Sequence, residues 1–486
     1  MNSKLKTQKS KYSQNSTQNS GLKTQDCFWW VLLIGLPLVS LLLINLPPNL
    51  RFWRQSLTGE GVPVGLDPAY RYPFPQTLAG NVSPKLALQR EIAFYQQRVS
   101  LDPQSGLNLA SLAAAYLKMA RATGEGSWYL LAEQTAKRSL ASLPFDNKGA
   151  VIILARVAEA RHDFQTALSL AKQVGTGAED DLSLKVTANL AMGKVGEAAK
   201  AAEALVERIP NLGTLTLRAL VFQAQGKDAE ALQDFKQALA AEEPGEVGIS
   251  AKTRTLLGRF YYQRGQLTQA EALYRETLRL IPRYPLALVQ LAELETRQGK
   301  YQEAEHHYNQ VIVDSKGAAT VFDHVVDRGM ARLRALQGDL SGSKQWQDKA
   351  EALLREQTGT GQGSGNFGHR RELALLLLEG GRPQDVAEAL ALVQEEVKIR
   401  RDARTLDTLA WALLRSGDRA GARAAIQEAL HGGIRDAEIF YRAGEIEKAL
   451  GNDAKAGVYF QQALATDPTF DEQARKRLGL GLNFSD

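Results

Sequence analysis

The chain has 486 residues, and its 59 Lys and Arg against 54 Asp and Glu give a formal charge of +5 at pH 7 and a pI near 9.0. The excess sits in one place: residues 1–54 hold Lys4, Lys6, Lys9, Lys11, Lys23, Arg51 and Arg54 against Asp26, a net of +6, while residues 55–486 carry 52 cations and 53 anions. A nucleic-acid groove needs its Lys and Arg concentrated on the folded body, so no nucleic-acid partner is expected.

The single cysteine, Cys27, excludes an intramolecular disulfide and any multi-cysteine metal centre. Aromatic residues make up 7% of the chain, which suits helices packed through small residues better than an all-β core. Residues 1–26 are mostly Lys, Gln, Ser, Asn and Thr, and read as a disordered basic tail. A transmembrane anchor is predicted over 27–46. From Phe28 to Leu46 there is no charge over 19 residues, a helix length near the ~30 Å hydrocarbon core. Trp29 and Trp30 would lie at one headgroup layer, Phe52 and Trp53 at the other. The segment is longer than a typical signal-peptide core and lacks a small-residue cleavage pattern, so a retained anchor is expected rather than a cleaved signal.

Five Lys precede the span and Arg51 and Arg54 follow it. The bias predicts a cytoplasmic N-terminus and an extracytoplasmic body, the alternative being a body on the cytoplasmic face. Residues 47–84, with Pro63, Pro68, Pro73, Pro75 and Pro84, read as a spacer.

Beyond the spacer a period appears. LLGRFYYQRGQLTQAEALYRETLRLIP and LAELETRQGKYQEAEHHYNQVI align through Gly265/Gly299, Ala270/Ala304 and Tyr274/Tyr308, 34 residues apart. Gly417/Gly451, Ala422/Ala456, Ile426/Phe460 and Ala429/Ala463 repeat that spacing. Each unit predicts a helix A, a glycine turn, and a helix B with Ala at i, a large residue at i+4 and Ala at i+7 on one face. The small residues let the two helices approach closely. Pro144, Pro210, Pro282 and Pro468 end helix B.

This pattern resembles the tetratricopeptide repeat family, best at Gly258, Tyr261, Ala270, Tyr274 and Pro282 and at Gly444, Ala456, Phe460, Ala463 and Pro468. Weaker units centre on Ala132, Ala167, Ala198, Ala231, Ser343 and Ala389, about ten in all. The helix-A Trp of the family is replaced, for example by Leu288 and Leu406. The resemblance implies an all-α fold, a tetratricopeptide-repeat superhelix (α-solenoid) behind one N-terminal transmembrane helix. A repeat array is expected over 85–357, a Gly-rich linker over 358–368, a second block over 369–470 and a C-terminal cap and tail over 471–486. The front is capped by a helix with the stripe Leu88, Ile92, Tyr95 and Val99.

Motifs for chemistry are sparse. Gly363, Gly365 and Gly368 satisfy G-x-G-x-x-G, but no strand precedes them, so no cofactor is expected. His162 occupies a turn where other units place Gly, and a turn role is preferred. His306 and His307 are expected on the outer face of helix B, and His324, His369 and His431 fall near unit boundaries without sequence partners. With no H-E-x-x-H and no G-x-S-x-G, neither a metal site nor a catalytic site is expected.

In the family the groove lined by helix A binds peptides. By register, the inward positions are Thr255, Arg259, Tyr262, Gln263, Arg297, Arg332, Trp411 and Arg415, where Arg beside aromatics suits acidic groups of a partner. Protein or peptide segments in that groove, and a lipid bilayer at residues 28–46, are the expected partners. The reading is a membrane-tethered scaffold for protein–protein interaction that assembles or stabilises a membrane or envelope complex. The alternatives are a substrate-presenting accessory of secretion or cytochrome maturation, and an enzyme with an unrecognised site.

Overall fold

The computed structural model describes residues 71–74, 84–175, 177–315, 319–358, 369–380 and 382–480. The predicted tail, membrane span and Gly-rich linker lie outside these residues, except for Thr358. Among the described residues no helix is long and apolar enough to cross a membrane. They form 22 helices and no strand, with one isolated bridge between Glu125 and Thr320.

A leading helix, α1 (Pro84–Leu101), precedes ten antiparallel pairs. Units 1 to 3 are α2 (Gly106–Thr123) with α3 (Gly126–Ser142), α4 (Lys148–Ala160) with α5 (Phe164–Val174), and α6 (Glu179–Ala191) with α7 (Val195–Arg208). Units 4 to 6 are α8 (Leu212–Ala224) with α9 (Asp228–Ala240), α10 (Val247–Tyr262) with α11 (Leu267–Leu280), and α12 (Pro285–Gln298) with α13 (Tyr301–Ser315). Units 7 and 8 are α14 (Asp323–Leu336) with α15 (Leu340–Thr358), and α16 (Arg370–Gly380) with α17 (Pro383–Glu396). Units 9 and 10 are α18 (Ala403–Arg415) with α19 (Arg419–His431), and α20 (Ala437–Ala449) with α21 (Asp453–Thr466). The short α22 (Glu472–Arg477) closes the order.

The predicted small position of helix B explains the pairing. Ala132, Ala167, Ala198, Ala231, Ala270, Ala304, Ala389, Ala422 and Ala456, with Ser343, are all buried. Each lets the backbones of one pair come close; four positions on, Phe235, Tyr274, Tyr308, Val393, Ile426 and Phe460 fill the space beside it, whereas units 1 to 3 have Ala136, Ala171 and Ala202 there and unit 7 has Gln347. In units 5 and 10 that space is a helix-A glycine of the same unit, and Tyr308 of unit 6 uses Gly329 of the next unit: a Cβ at Gly258, Gly444 or Gly329 would lie 2.5, 2.4 or 2.3 Å from Tyr274, Phe460 or Tyr308. The predicted turn glycines Gly265, Gly299, Gly417 and Gly451 have φ of 69°, 78°, 91° and 78°. His162 takes the same left-handed region at φ 61°, the turn role read for it. Ser105, Asp163, Asn211, Asp418 and Asp471 each cap a helix by accepting a backbone N–H.

On α1, Ile92 is buried and Leu88, Tyr95 and Val99 pack with it against unit 1, as the stripe predicts. The spacer behaves less simply than an extended tether over the part described. Tyr72 is 6% exposed, its hydroxyl donates to Glu243 O at 3.1 Å and accepts from Gly245 N–H at 3.1 Å, and its own N–H donates to Glu276 Oε1 at 2.9 Å. Residues 71–74 are therefore pinned between units 4 and 5.

The later units return onto the earlier ones. The N–H of Val321 donates to Gly124 O at 2.9 Å, and that of Arg401 to Ala191 O at 2.9 Å. Arg435 Nη1 donates to Asp228 Oδ2 at 2.8 Å from 207 residues downstream, on a carboxylate that Arg264 also holds. A Cβ on Gly226 would lie 2.0 Å from Gly433 O, so the backbones of the same two turns also touch. Arg477 Nη1 reaches Arg297 O at 3.0 Å. In each contact the turn inside an early unit meets a loop between late units, or the closing helix α22. A small rotation repeated from unit to unit brings them together.

Candidate functional site

The first helices of units 5 to 10 converge on one cavity of about 410 Å³. Its wall carries Arg259, Tyr262 and Gln263 from unit 5, Gln290, Glu293 and Arg297 from unit 6, and Arg328 and Arg332 from unit 7. Arg371 and Glu379 come from unit 8, Arg404 and Trp411 from unit 9, and Glu438 and Arg442 from unit 10. Its volume lies in the ~300–1,000 Å³ range of sites that enclose a small ligand or one stretch of a larger one.

Six of the eight predicted groove residues line this space: Arg259, Tyr262, Gln263, Arg297, Arg332 and Trp411. Thr255 is corrected to a core position. It is 1% exposed, and its hydroxyl donates to Ala251 O at 2.9 Å and to Thr277 Oγ1 at 3.4 Å, so it fastens α10 to α11. Arg415 is exposed, outside the cavity wall, and donates to Leu378 O at 3.4 Å. Register shows which turn of helix A a residue occupies. It does not distinguish the face toward helix B from the face toward the lumen when the two meet at an edge.

Most of the wall's charges are internally matched. Arg297 pairs with Asp467, both 3% exposed, and donates to Thr469 Oγ1 at 2.8 Å. Arg328 reaches Glu379 at 2.6 Å, Arg404 reaches Asp436 at 3.0 Å, and Arg442 reaches Asp407 at 2.6 Å. The Arg442 guanidinium also lies 4.4 Å from the Trp411 ring centroid, and that of Arg297 5.2 Å from Tyr262. Gln263 accepts from Gln223 Nε2 at 2.6 Å. Burial acts to raise the Glu372 carboxyl, but Arg371, Arg400 and nearby histidines outweigh it and hold the group well below the usual carboxylate range. The Tyr262 hydroxyl is pushed up by burial.

The histidines behave differently from their sequence reading. His324 and His369, 45 positions apart, meet with ring centroids 4.5 Å apart, so the expectation that they lack partners is corrected. Burial, followed by like charges, depresses His324 to about 3, and burial also lowers His369. His162 stacks on Phe164 at 5.6 Å and is depressed to about 4 by burial and then by Arg400. His307 turns toward helix A rather than outward, with Nδ1 2.7 Å from Glu295 Oε2. Among the described residues no group of three or more His, Cys, Asp or Glu is placed to hold a metal ion.

Sequence reasoning missed the acidic half of the wall. Glu293, Glu379 and Glu438 lie on first helices, within reach of register, whereas Asp436 and Asp467 lie at helix ends outside it. Their only sequence signal was their place next to the start or end of a helix.

Residues 249–312 match one tetratricopeptide repeat family, and residues 408–469 match another of the same description. No curated protein matches the sequence. Among solved structures, the chain is similar to the human IFIT1 dimer with PPP-AAAA at 16% identity and a TM-score of 0.43, covering 78% of this chain and 86% of that one. It is similar to a chain of the APC/C hetero-tetramer Cut9–Hcn1 at 12% identity and a TM-score of 0.35, covering 82% and 96%. A tetratricopeptide repeat protein from Parabacteroides merdae matches at 17% identity and a TM-score of 0.30, covering 64% of this chain and all of the other.

Proposed function

The chain is a tetratricopeptide repeat protein, and from that premise we propose that it is an interaction scaffold that holds a segment of a partner protein in its lumen. The supporting observation is the convergence of six successive first helices on one cavity, with aromatic and guanidinium groups on its wall. Guanidinium groups beside aromatic rings recognise carboxylates and stack on planar groups, the chemistry a polypeptide offers. The wall is closed by contacts between early and late units, so the occupant is a short stretch of chain or a chain end.

The scaffold is tethered to a membrane by residues 28–46, with the N-terminus in the cytoplasm and the repeats on the other side, where it assembles or stabilises a membrane or envelope complex. The uncharged run and the lysine-rich flank support this part of the reading. A photo-crosslinking residue at Gln290, inside the lumen, captures the partner in intact cells, and one at the exposed Val458 does not. Capture from Val458 alone would refute the lumen as the binding face. Protease added outside the cytoplasmic membrane digests the repeats in the proposed orientation and leaves them intact in the opposite one.

A further inference from the structure

Arg259 differs from the other guanidinium groups of the lumen. Arg297, Arg328, Arg371, Arg404 and Arg442 each hold a carboxylate through a hydrogen bond. No hydrogen bond or ion pair joins the Arg259 side chain to any described residue, although that side chain lines the cavity and is partly buried. A guanidinium presents five N–H donors and stays charged, and a charge withdrawn from water without an acceptor is costly. The residue facing it makes the cost larger: the strongest influence on Arg259 is the positive charge of Arg404, followed by burial, and together they depress it to about 10. Glu293 is the main opposite charge acting on it; that carboxylate accepts from Gln290 Nε2 at 3.0 Å and forms no ion pair with Arg259.

We propose that Arg259, with Arg404 opposite, is the anion-recognition point of the lumen and takes a carboxylate or phosphate group carried by the bound segment. The planar fork of Arg259 is free to hold two oxygens of one such group, and Arg404 adds a second cation while keeping its bond to Asp436. Glu438 lines the same cavity, and burial and then the adjacent Asp436 push its carboxyl upward. The assignment rests on the lumen being the binding face and adds the chemical class of what enters it.

The test uses the purified full-length chain in detergent, with inorganic phosphate and citrate as probes against chloride at matched ionic strength, and reads the thermal unfolding midpoint. Either oxyanion raises the wild-type midpoint in a saturable way, by on the order of 2 °C. Arg259→Gln raises the midpoint in chloride, because it removes a cation facing Arg404, and abolishes the increment from the oxyanion. A response to citrate alone marks a carboxylate ligand, and a response to phosphate alone marks a phosphorylated one. Equal increments in wild type and Arg259→Gln, or none with either probe, would overturn the proposal. No partner protein enters the measurement, so its failure is separate from failure of the crosslinking experiment.

Discussion

The ion pair between Arg297 and Asp467 joins unit 6 to the end of unit 10 across 170 residues, and it offers a direct test of how the returning units are held. Both side chains are 3% exposed. Arg297 Nη1 also donates to Tyr262 O at 3.3 Å, and Asp467 Oδ1 accepts from Thr469 N–H at 3.0 Å and Thr469 Oγ1 at 2.9 Å. Asp467→Asn keeps the shape and removes the charge, leaving a buried guanidinium unpaired, so it costs about 3–5 kcal/mol at this joint. Replacing both partners with apolar groups, Arg297→Met with Asp467→Leu, removes the uncompensated charge and restores most of that loss. In a linear array each unit is also held by its neighbours, so the late units separate from the early ones before they unfold. Urea unfolding of Asp467→Asn therefore shows an early transition absent from wild type, and limited proteolysis cuts first near the loop at 467–471. An Asp467→Asn variant within about 1 kcal/mol of wild type, or a double variant no more stable than the single one, would refute this account of the joint.

Glu396 has a fully buried side chain whose carboxylate oxygens accept no hydrogen bond from a described residue, with His162 and Arg370 each 3.8 Å away. Burial raises its carboxyl from 4.5 to about 7. The folded state thus binds the proton more tightly than the unfolded one, and this contribution is fully present below about pH 4.5 and lost by pH 7. Glu396→Gln consequently leaves stability unchanged near pH 4 and raises it by on the order of 2–3 kcal/mol at pH 8, measured by urea unfolding at each pH. Gly258→Ala forces a Cβ to within 2.5 Å of the Tyr274 ring and destabilises by about 1–3 kcal/mol. Gly457→Ala, in a helix with nothing within 4 Å of the added Cβ, stabilises by about 0.5–1 kcal/mol, and denaturant midpoints reveal the opposite signs. Tyr72→Phe removes the hydroxyl that bridges Glu243 O and Gly245 N, costs about 1 kcal/mol locally, and speeds proteolytic nicking at residues 71–74.

The legible part of the fold followed from short-range rules. A 34-residue spacing in two pairs of units, with the recurring small residue in the weaker ones, located about ten units, because each needs that small residue where its two helices cross, and every one of those positions is buried. The turn glycines and His162 were legible for the same local reason, a backbone with positive φ. Groove residues were legible only in part. Arg259, Tyr262, Gln263, Arg297, Arg332 and Trp411 line the cavity. Thr255 is in the core because its hydroxyl bonds back to its own helix and across to Thr277. The meeting of His324 with His369 was hidden because each sits at the edge of its own unit, and only the stacking of units 7 and 8 brings the rings together.

The sequence by itself determined the near-neutral charge of the body, which is a sum over residues, and the repeat, its period and the helix pairs, which depend on contacts within about one unit's length. Tertiary structure alone decided what those helices enclose. The small rotation between units, repeated, carries late loops onto early turns, so Asp467 reaches Arg297 and Arg435 reaches Asp228. These distant carboxylates and guanidinium groups decide which lumen charges are already paired. Arg259, left without an acceptor, is the consequence, and no spacing along the chain encodes it.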